Sequence, residues 1–132
     1  MAYLLDTNCW IHYLKHGDSP IRARLQTFAP GDVVSCSIVQ AELLHGAEKY
    51  GNREQRVAAV VKTLAPFHSH PFDDAAASAY ARIRHNLEVA GQVIGPYDLQ
   101  IAAICTAYDL TLVTSNVSEF SRVAGLKIQD WL

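Results

Sequence analysis

Apolar and polar positions alternate along this chain in two periods. Short apolar runs at Tyr3-Leu4-Leu5, Val33-Val34-Ser35-Cys36 and Leu110 to Thr114 read as strands. Between them the apolar residues recur at helical spacing. A short helix follows Tyr3–Leu5, with Trp10, Ile11 and Leu14 on its apolar side. Pro30-Gly31-Asp32 turns the chain into the second strand. The next helix opens with Ser37-Ile38-Val39-Gln40, which fits the capping-box pattern. Gly51-Asn52 ends it and starts another, with Val57, Val60, Val61 and Leu64 at the 3.6-residue period. Pro66 to Phe72 is extended, with a short strand expected there. Asp73-Asp74 caps a long helix with an inner face of Ala76, Tyr80, Ile83 and Leu87, and Gly91 stops it. Gly95-Pro96 begins a further helix, with proline at its favoured first-turn position, and that helix ends near Asp109. A turn of helix from Asn116 and a weak strand at Leu126 to Ile128 complete the chain. Strands separated by helices imply parallel pairing and a sheet covered on both faces. The expected fold is a single α/β domain over residues 1–132, a central parallel β-sheet flanked by α-helices.

Composition narrows this further. The 132 residues suffice for a buried core, and with 50% hydrophobic and 18% charged residues no disordered tail is expected. No segment resembles a signal peptide or a membrane span, because Asp6 interrupts the first apolar run and Gln100 and Thr106 interrupt the most apolar helix, Leu99 to Tyr108. Cys9, Cys36 and Cys105 are odd in number and each lies in an apolar stretch, so they read as reduced core residues of a cytoplasmic protein. The net charge of −2 excludes a strongly basic nucleic-acid binder. Nucleic acid would then be held by metal ions or by local patches. Candidates are Arg82, Arg84 and His85 on the long helix, and Lys49, Arg53 and Arg56 after the second; ordinary solvated faces explain both sets equally well.

The acids change the picture most. In open parallel sheets the ligand site lies beyond the carboxyl ends of the strands. Asp6 ends the first strand, Glu42 lies in the second turn of the helix after the second, Asp98 is in the first turn after Gly95-Pro96, and Glu119 follows Leu112-Val113-Thr114 by one turn. Each has a bland explanation. Asp6 reads as a helix cap, Asp98 as a partner of the helix dipole, and Asn116 with Glu119 as a capping box. Glu42 resists one, since it follows Ile38, Val39 and Ala41 at an apolar helix start. Clustered carboxylates repel by about 4 kcal/mol per pair at 4 Å with an effective dielectric of 20. A cation resolves that repulsion, and all-oxygen ligands favour Mg²⁺ or Mn²⁺, which serve phosphate chemistry.

Four blocks, "YLLDTN", "AELLHGAEK", "GQVIGPYDLQIAA" and "LVTSNVSEFSRVAGLKIQDW", run in order from Tyr3 to Trp131. Together they resemble the blocks of PIN-domain ribonucleases, specifically VapC-type toxins of bacterial toxin–antitoxin pairs. The resemblance implies a Mg²⁺-dependent endoribonuclease, with Mn²⁺ able to substitute, often acting on tRNA and held inactive by a cognate VapB-type antitoxin. Asp6, Glu42 and Asp98 match the three family acids, with Asp6 and Asp98 as the main metal ligands. Glu119 matches a more variable fourth acid, and Asn116 stands where many PIN domains carry an aspartate. Thr7, Asn8, Thr114 and Asn116 match polar residues that orient the acids or the phosphate. The implied reaction is hydrolysis by metal-activated water, leaving a 5′-phosphate and a 3′-hydroxyl.

Other features carry less. Glu42-Leu43-Leu44-His45 has the E-x-x-H spacing of di-iron bundles, but the second copy they need is absent. His68 and His70 share one face of an extended segment, two ligands without a third. A haloacid-dehalogenase-like phosphatase needs an acid two residues after its first aspartate, and Asn8 stands there. A non-catalytic interaction module gives no reason for four acids at strand ends. A homodimer is expected because the Leu99 to Tyr108 helix is apolar on most sides, more than one sheet contact needs, and a twin subunit or packing within the domain supplies the second buried surface. The antitoxin is expected to lie against the first two helices near Trp10, Tyr13, Leu43 and Leu44, with an Arg or Lys directed into the acids.

Overall fold

The computed structural model describes residues 2–132; Met1, the first residue of the expected domain, lies outside the described residues. Among the described residues, five strands form one sheet in the order β3-β2-β1-β4-β5: β1 (Tyr3–Leu5), β2 (Val33–Cys36), β3 (His68–His70), β4 (Thr111–Val113) and β5 (Ile128–Gln129). Every pairing is parallel, as expected for strands joined through helices. Tyr3 stands opposite both Val33 and Thr111, so β1 is central. Leu4, Leu5, Leu112 and Val113 are fully buried, which is why the central strands read as continuous apolar runs without alternation.

Among the described residues, seven α-helices connect the strands: α1 (Thr7–Lys15), α2 (Pro20–Leu25), α3 (Ser37–Glu48), α4 (Arg53–Leu64), α5 (Asp74–Ala90), α6 (Pro96–Ala107) and α7 (Val117–Phe120). Local signals set several of their ends. Asp73 caps α5 by accepting the Ala76 N–H at 3.0 Å. Gly91 stops it at φ +67°, in the left-handed region that glycine enters without strain. Helix α6 starts at Pro96 after Gly95.

The expected inner faces hold in part. Val60 and Leu64 of α4 are buried, but Val61 is 53% exposed, because the contact stripe of α4 is narrower than its apolar sequence. Leu14 lies on the open side of α1. Helix α2 was not expected, although Ser19 caps it through the Ile21 N–H and Pro20 occupies its first turn. Strand β5 lies slightly later than Leu126 to Ile128, where it pairs with β4. The capping box at Ser37 does not form. Cys36 is the cap residue, and the Ser37 hydroxyl instead accepts the Phe72 N–H at 3.3 Å, tying α3 to the chain after β3.

Helix α6 explains its own composition. Leu99 and Ile101 to Cys105 are all buried, because α5 packs along α6 while α3 and β4 cover other sides. Burying an isoleucine such as Ile101 or Ile104 contributes roughly 1.5–3 kcal/mol. The apolar surplus of α6 is therefore met by packing within the domain.

Candidate active site

Asp6 is fixed at the end of β1 by its own backbone. Its N–H donates to the Val113 carbonyl at 3.0 Å, continuing the β1–β4 ladder by one residue. Its side chain then caps α1: Oδ1 accepts the Cys9 N–H at 2.9 Å, and Oδ2 accepts the Thr114 hydroxyl. At 4% exposure a carboxylate requires such donors, since burial without them costs several kcal/mol. The cap reading and the site reading are thus both true of Asp6.

Glu42 lies three residues after Val39 on α3 and beside Leu43, at the margin of the buried stripe. It is half-buried, and Oε1 accepts the Thr7 hydroxyl at 2.6 Å. Thr7 opens α1 directly after Asp6, so one dipeptide orients two acids. Asp98 sits in the first turn of α6, half-buried. Glu119, in α7, accepts the Gly95 N–H through Oε1 at 2.9 Å and Asn116 Nδ2 through Oε2 at 2.7 Å. The capping box at Asn116 and Glu119 is not formed, because the Asn116 N–H goes to the Thr114 hydroxyl at 2.9 Å.

The electrostatics show that these acids share one space. The Asp98 carboxyl is pushed up to about 6, first by burial and then by the charges of Glu119, Glu42 and Asp6. The helix dipole favours a charged Asp98, so burial and three like charges together outweigh it. Glu119 moves the other way, held low by the Gly95 N–H and then by the Asn116 amide. A Cβ placed on Gly95 would lie 3.9 Å from both Asp98 Oδ2 and Glu119 Oε1, so the two acids border one glycine. Four acids from four segments therefore gather beyond the ends of β1, β2 and β4, and no Arg or Lys is among the groups that shift Asp98.

Among the described residues, no three His, Cys, Asp or Glu side chains stand close enough, as placed, to grip a metal ion. The donor set nevertheless fits Mg²⁺. That ion takes one or two carboxylates and keeps several waters, and it prefers oxygen donors.

The remaining candidates separate clearly. His45 is exposed. His68 and His70 stack edge to face at 4.7 Å on the outer strand, and His70 packs on Tyr108, away from the acids' hydrogen bonds. Arg53 is paired with Glu48, and Arg56 donates to the Gly51 carbonyl, so that cluster serves the turn between α3 and α4. Arg84 is engaged by Tyr80 and Glu88, while Arg82 and His85 are exposed. Trp10 and Leu43 belong to the core, leaving Tyr13 and Leu44 partly accessible. The three cysteines are free and buried; burial first of all raises each thiol, Cys36 to about 11, so they stay protonated. Sequence reasoning missed two site groups, the backbone N–H of Cys9 and of Gly95. Backbone donors leave no residue-type signal; only their positions, three after an aspartate cap and just before a helix-opening proline, point to them.

No helix among the described residues is long and apolar enough to cross a membrane. The sequence pattern of the PIN domain matches residues 3–126. A tRNA(fMet)-specific endonuclease VapC of Shigella flexneri is 33% identical over 131 residues, which cover 99% of this chain and 98% of the relative. Ribonuclease VapC2 of Rickettsia felis is 35% identical over 133 residues, with 99% and 98% covered. In three dimensions the chain is similar to VapBC of Salmonella typhimurium in a DNA-bound crystal structure, with a TM-score of 0.95, 33% identity, and 100% and 99% of the two chains covered.

Proposed function

This chain belongs to the PIN-domain family as a VapC-type ribonuclease toxin, and we propose that it is a Mg²⁺-dependent endonuclease of tRNA, restrained by a VapB-type antitoxin. The observation that carries the catalytic reading is the convergence of Asp6, Glu42, Asp98 and Glu119, joined through Thr7, Thr114, Asn116 and Gly95. Four acids in one space, with Arg122 acting on Glu119 but turned to the Val93 carbonyl, suit an ion that binds together with a phosphate. The tRNA substrate is supported by the tRNA(fMet)-specific endonuclease of Shigella flexneri, and the antitoxin by VapBC of Salmonella typhimurium.

Asp6, Asp98 and Glu42 would hold the metal, which when bound activates water and neutralises charge on the phosphate. The chain's own groups prepare that site. Asp6 is immobilised by the Cys9 N–H and the Thr114 hydroxyl, so its carboxylate needs little reorganisation. Thr7 fixes the direction of Glu42. Asp98 is presented on the first turn of the rigid, buried helix α6. The water oxygen bonds to phosphorus as the P–O3′ bond breaks, which leaves a 5′-phosphate and a 3′-hydroxyl.

The test is incubation of the purified chain with a tRNA pool and, separately, with unstructured RNA, with Mg²⁺ or with chelator. The reading expects cleavage of tRNA at few positions, with 5′-phosphate ends and only in Mg²⁺. Equal degradation of both RNAs would remove the tRNA assignment, and cleavage in chelator would remove the metal.

A further inference from the structure

Glu119 is held differently from the other three acids. Both of its oxygens receive N–H groups, one from the backbone of Gly95 and one from the side chain of Asn116. The Asn116 amide has one favourable orientation there, since turning it over would set its carbonyl oxygen against a carboxylate. Glu119 therefore links three places. Gly95 opens α6, which carries Asp98. Asn116 opens α7, and its N–H holds the Thr114 hydroxyl that in turn donates to Asp6. An unbroken chain of hydrogen bonds thus runs from Asp6 through Thr114, Asn116 and Glu119 to the residue that starts the Asp98 helix.

We propose, building on the metal-dependent reading above, that Asn116 sets the number of cations in this site at one. Its amide makes Glu119 a positioning residue that clamps the first turn of α6 to the end of β4, in place of a ligand to a second ion. A second cation at Glu119 would face the hydrogens of two N–H groups aimed at the same carboxylate. Asp6 also receives two hydrogen bonds, but only one of its oxygens faces an N–H, that of Cys9, and the other takes the Thr114 hydroxyl, whereas both oxygens of Glu119 face N–H groups. An aspartate at position 116 would lose the donor and place a second carboxylate beside Glu119, a repulsion that an additional ion would relieve.

The experiment is Mn²⁺ titration of the full chain by calorimetry, with bound Mn²⁺ counted by electron paramagnetic resonance. The wild type and Glu119→Gln should each bind one ion, the variant about tenfold more weakly because a charge beside Asp98 is lost, while glutamine still accepts the Gly95 N–H and Asn116 turns its carbonyl to the new amide. Glu119→Ala should lose about a further tenfold in affinity, the scale seen when a group supporting metal ligands is removed. Asn116→Asp should bind a second ion. Two ions in the wild type, equal losses in Glu119→Gln and Glu119→Ala, or a single ion in a folded Asn116→Asp would each overturn the proposal while leaving the metal-dependent reading in place. A wild type that binds no ion would overturn both.

Discussion

The hydroxyl of Thr114 donates to Asp6 Oδ2 and accepts the N–H of Asn116. Thr114 follows β4 and Asp6 follows β1, and the two strands pair in parallel with Leu5 opposite Val113. The register of the sheet therefore delivers this contact. Thr114→Val keeps the shape and removes the donor, leaving one oxygen of a buried carboxylate short of a partner. We expect a stability loss of about 1–3 kcal/mol in denaturant unfolding. Cleavage should fall by roughly 10–100-fold, the usual effect of losing a group that orients a metal ligand.

Asp98 gives a pH signature. Its proton is bound more tightly in the folded chain than in the unfolded one, with the folded value at about 6. Between about pH 4 and 6 the folded state then holds more protons, so this group's contribution to stability falls as pH rises through that window. The cost is fully present above the folded value. Asp98→Asn removes it, and after allowance for partial exposure the variant should gain about 1–2 kcal/mol at pH 7.5 without metal and nothing at pH 4. Melting curves at the two pH values, in chelator, check this. The same variant should lose cleavage by at least roughly 100-fold.

An antitoxin is expected to exploit the same excess charge. A guanidinium bonds a carboxylate through two parallel hydrogen bonds, so an inserted Arg neutralises the site without a metal. Since Trp10 and Leu43 are core residues, the apolar seat for the flanking peptide shifts to Tyr13, Leu14 and Leu44. Replacing the inserted Arg by Ala should restore part of the activity while the complex still forms in sedimentation. A complex whose nuclease activity stays fully blocked after that change would point to steric capping instead.

Legibility in the sequence followed the range of the interaction. Asp73, Gly91 and Gly95-Pro96 act on neighbouring backbone, and their helix ends were readable. Ser37 was misread because its partner, the Phe72 N–H, lies 35 residues away and outbids the local cap. Val61 was misread because periodicity shows which residues are apolar, whereas the packing of α4 decides how wide a stripe is covered. The gathering of Asp6, Glu42 and Glu119 was readable from their places after β1, β2 and β4, since a parallel sheet brings those ends to one side; Asp98 opens α6 after α5, and the resemblance to PIN domains set it among them. Their individual restraints were not. They depend on the Cys9 and Gly95 backbone N–H groups and on which oxygen of each carboxylate faces them.

The central claim is that these acids form a metal-dependent nuclease site, and Asp6→Asn tests it most directly. Asparagine keeps the size of the side chain and still accepts the Cys9 N–H that caps α1, so the fold should persist by circular dichroism. The measurement is single-turnover cleavage of tRNA by the wild type and Asp6→Asn, each in Mg²⁺ and in chelator. We expect cleavage by the wild type in Mg²⁺ alone and at least a roughly 100-fold loss in the folded variant. Cleavage by Asp6→Asn at the wild-type rate, or by the wild type in chelator, would contradict the account.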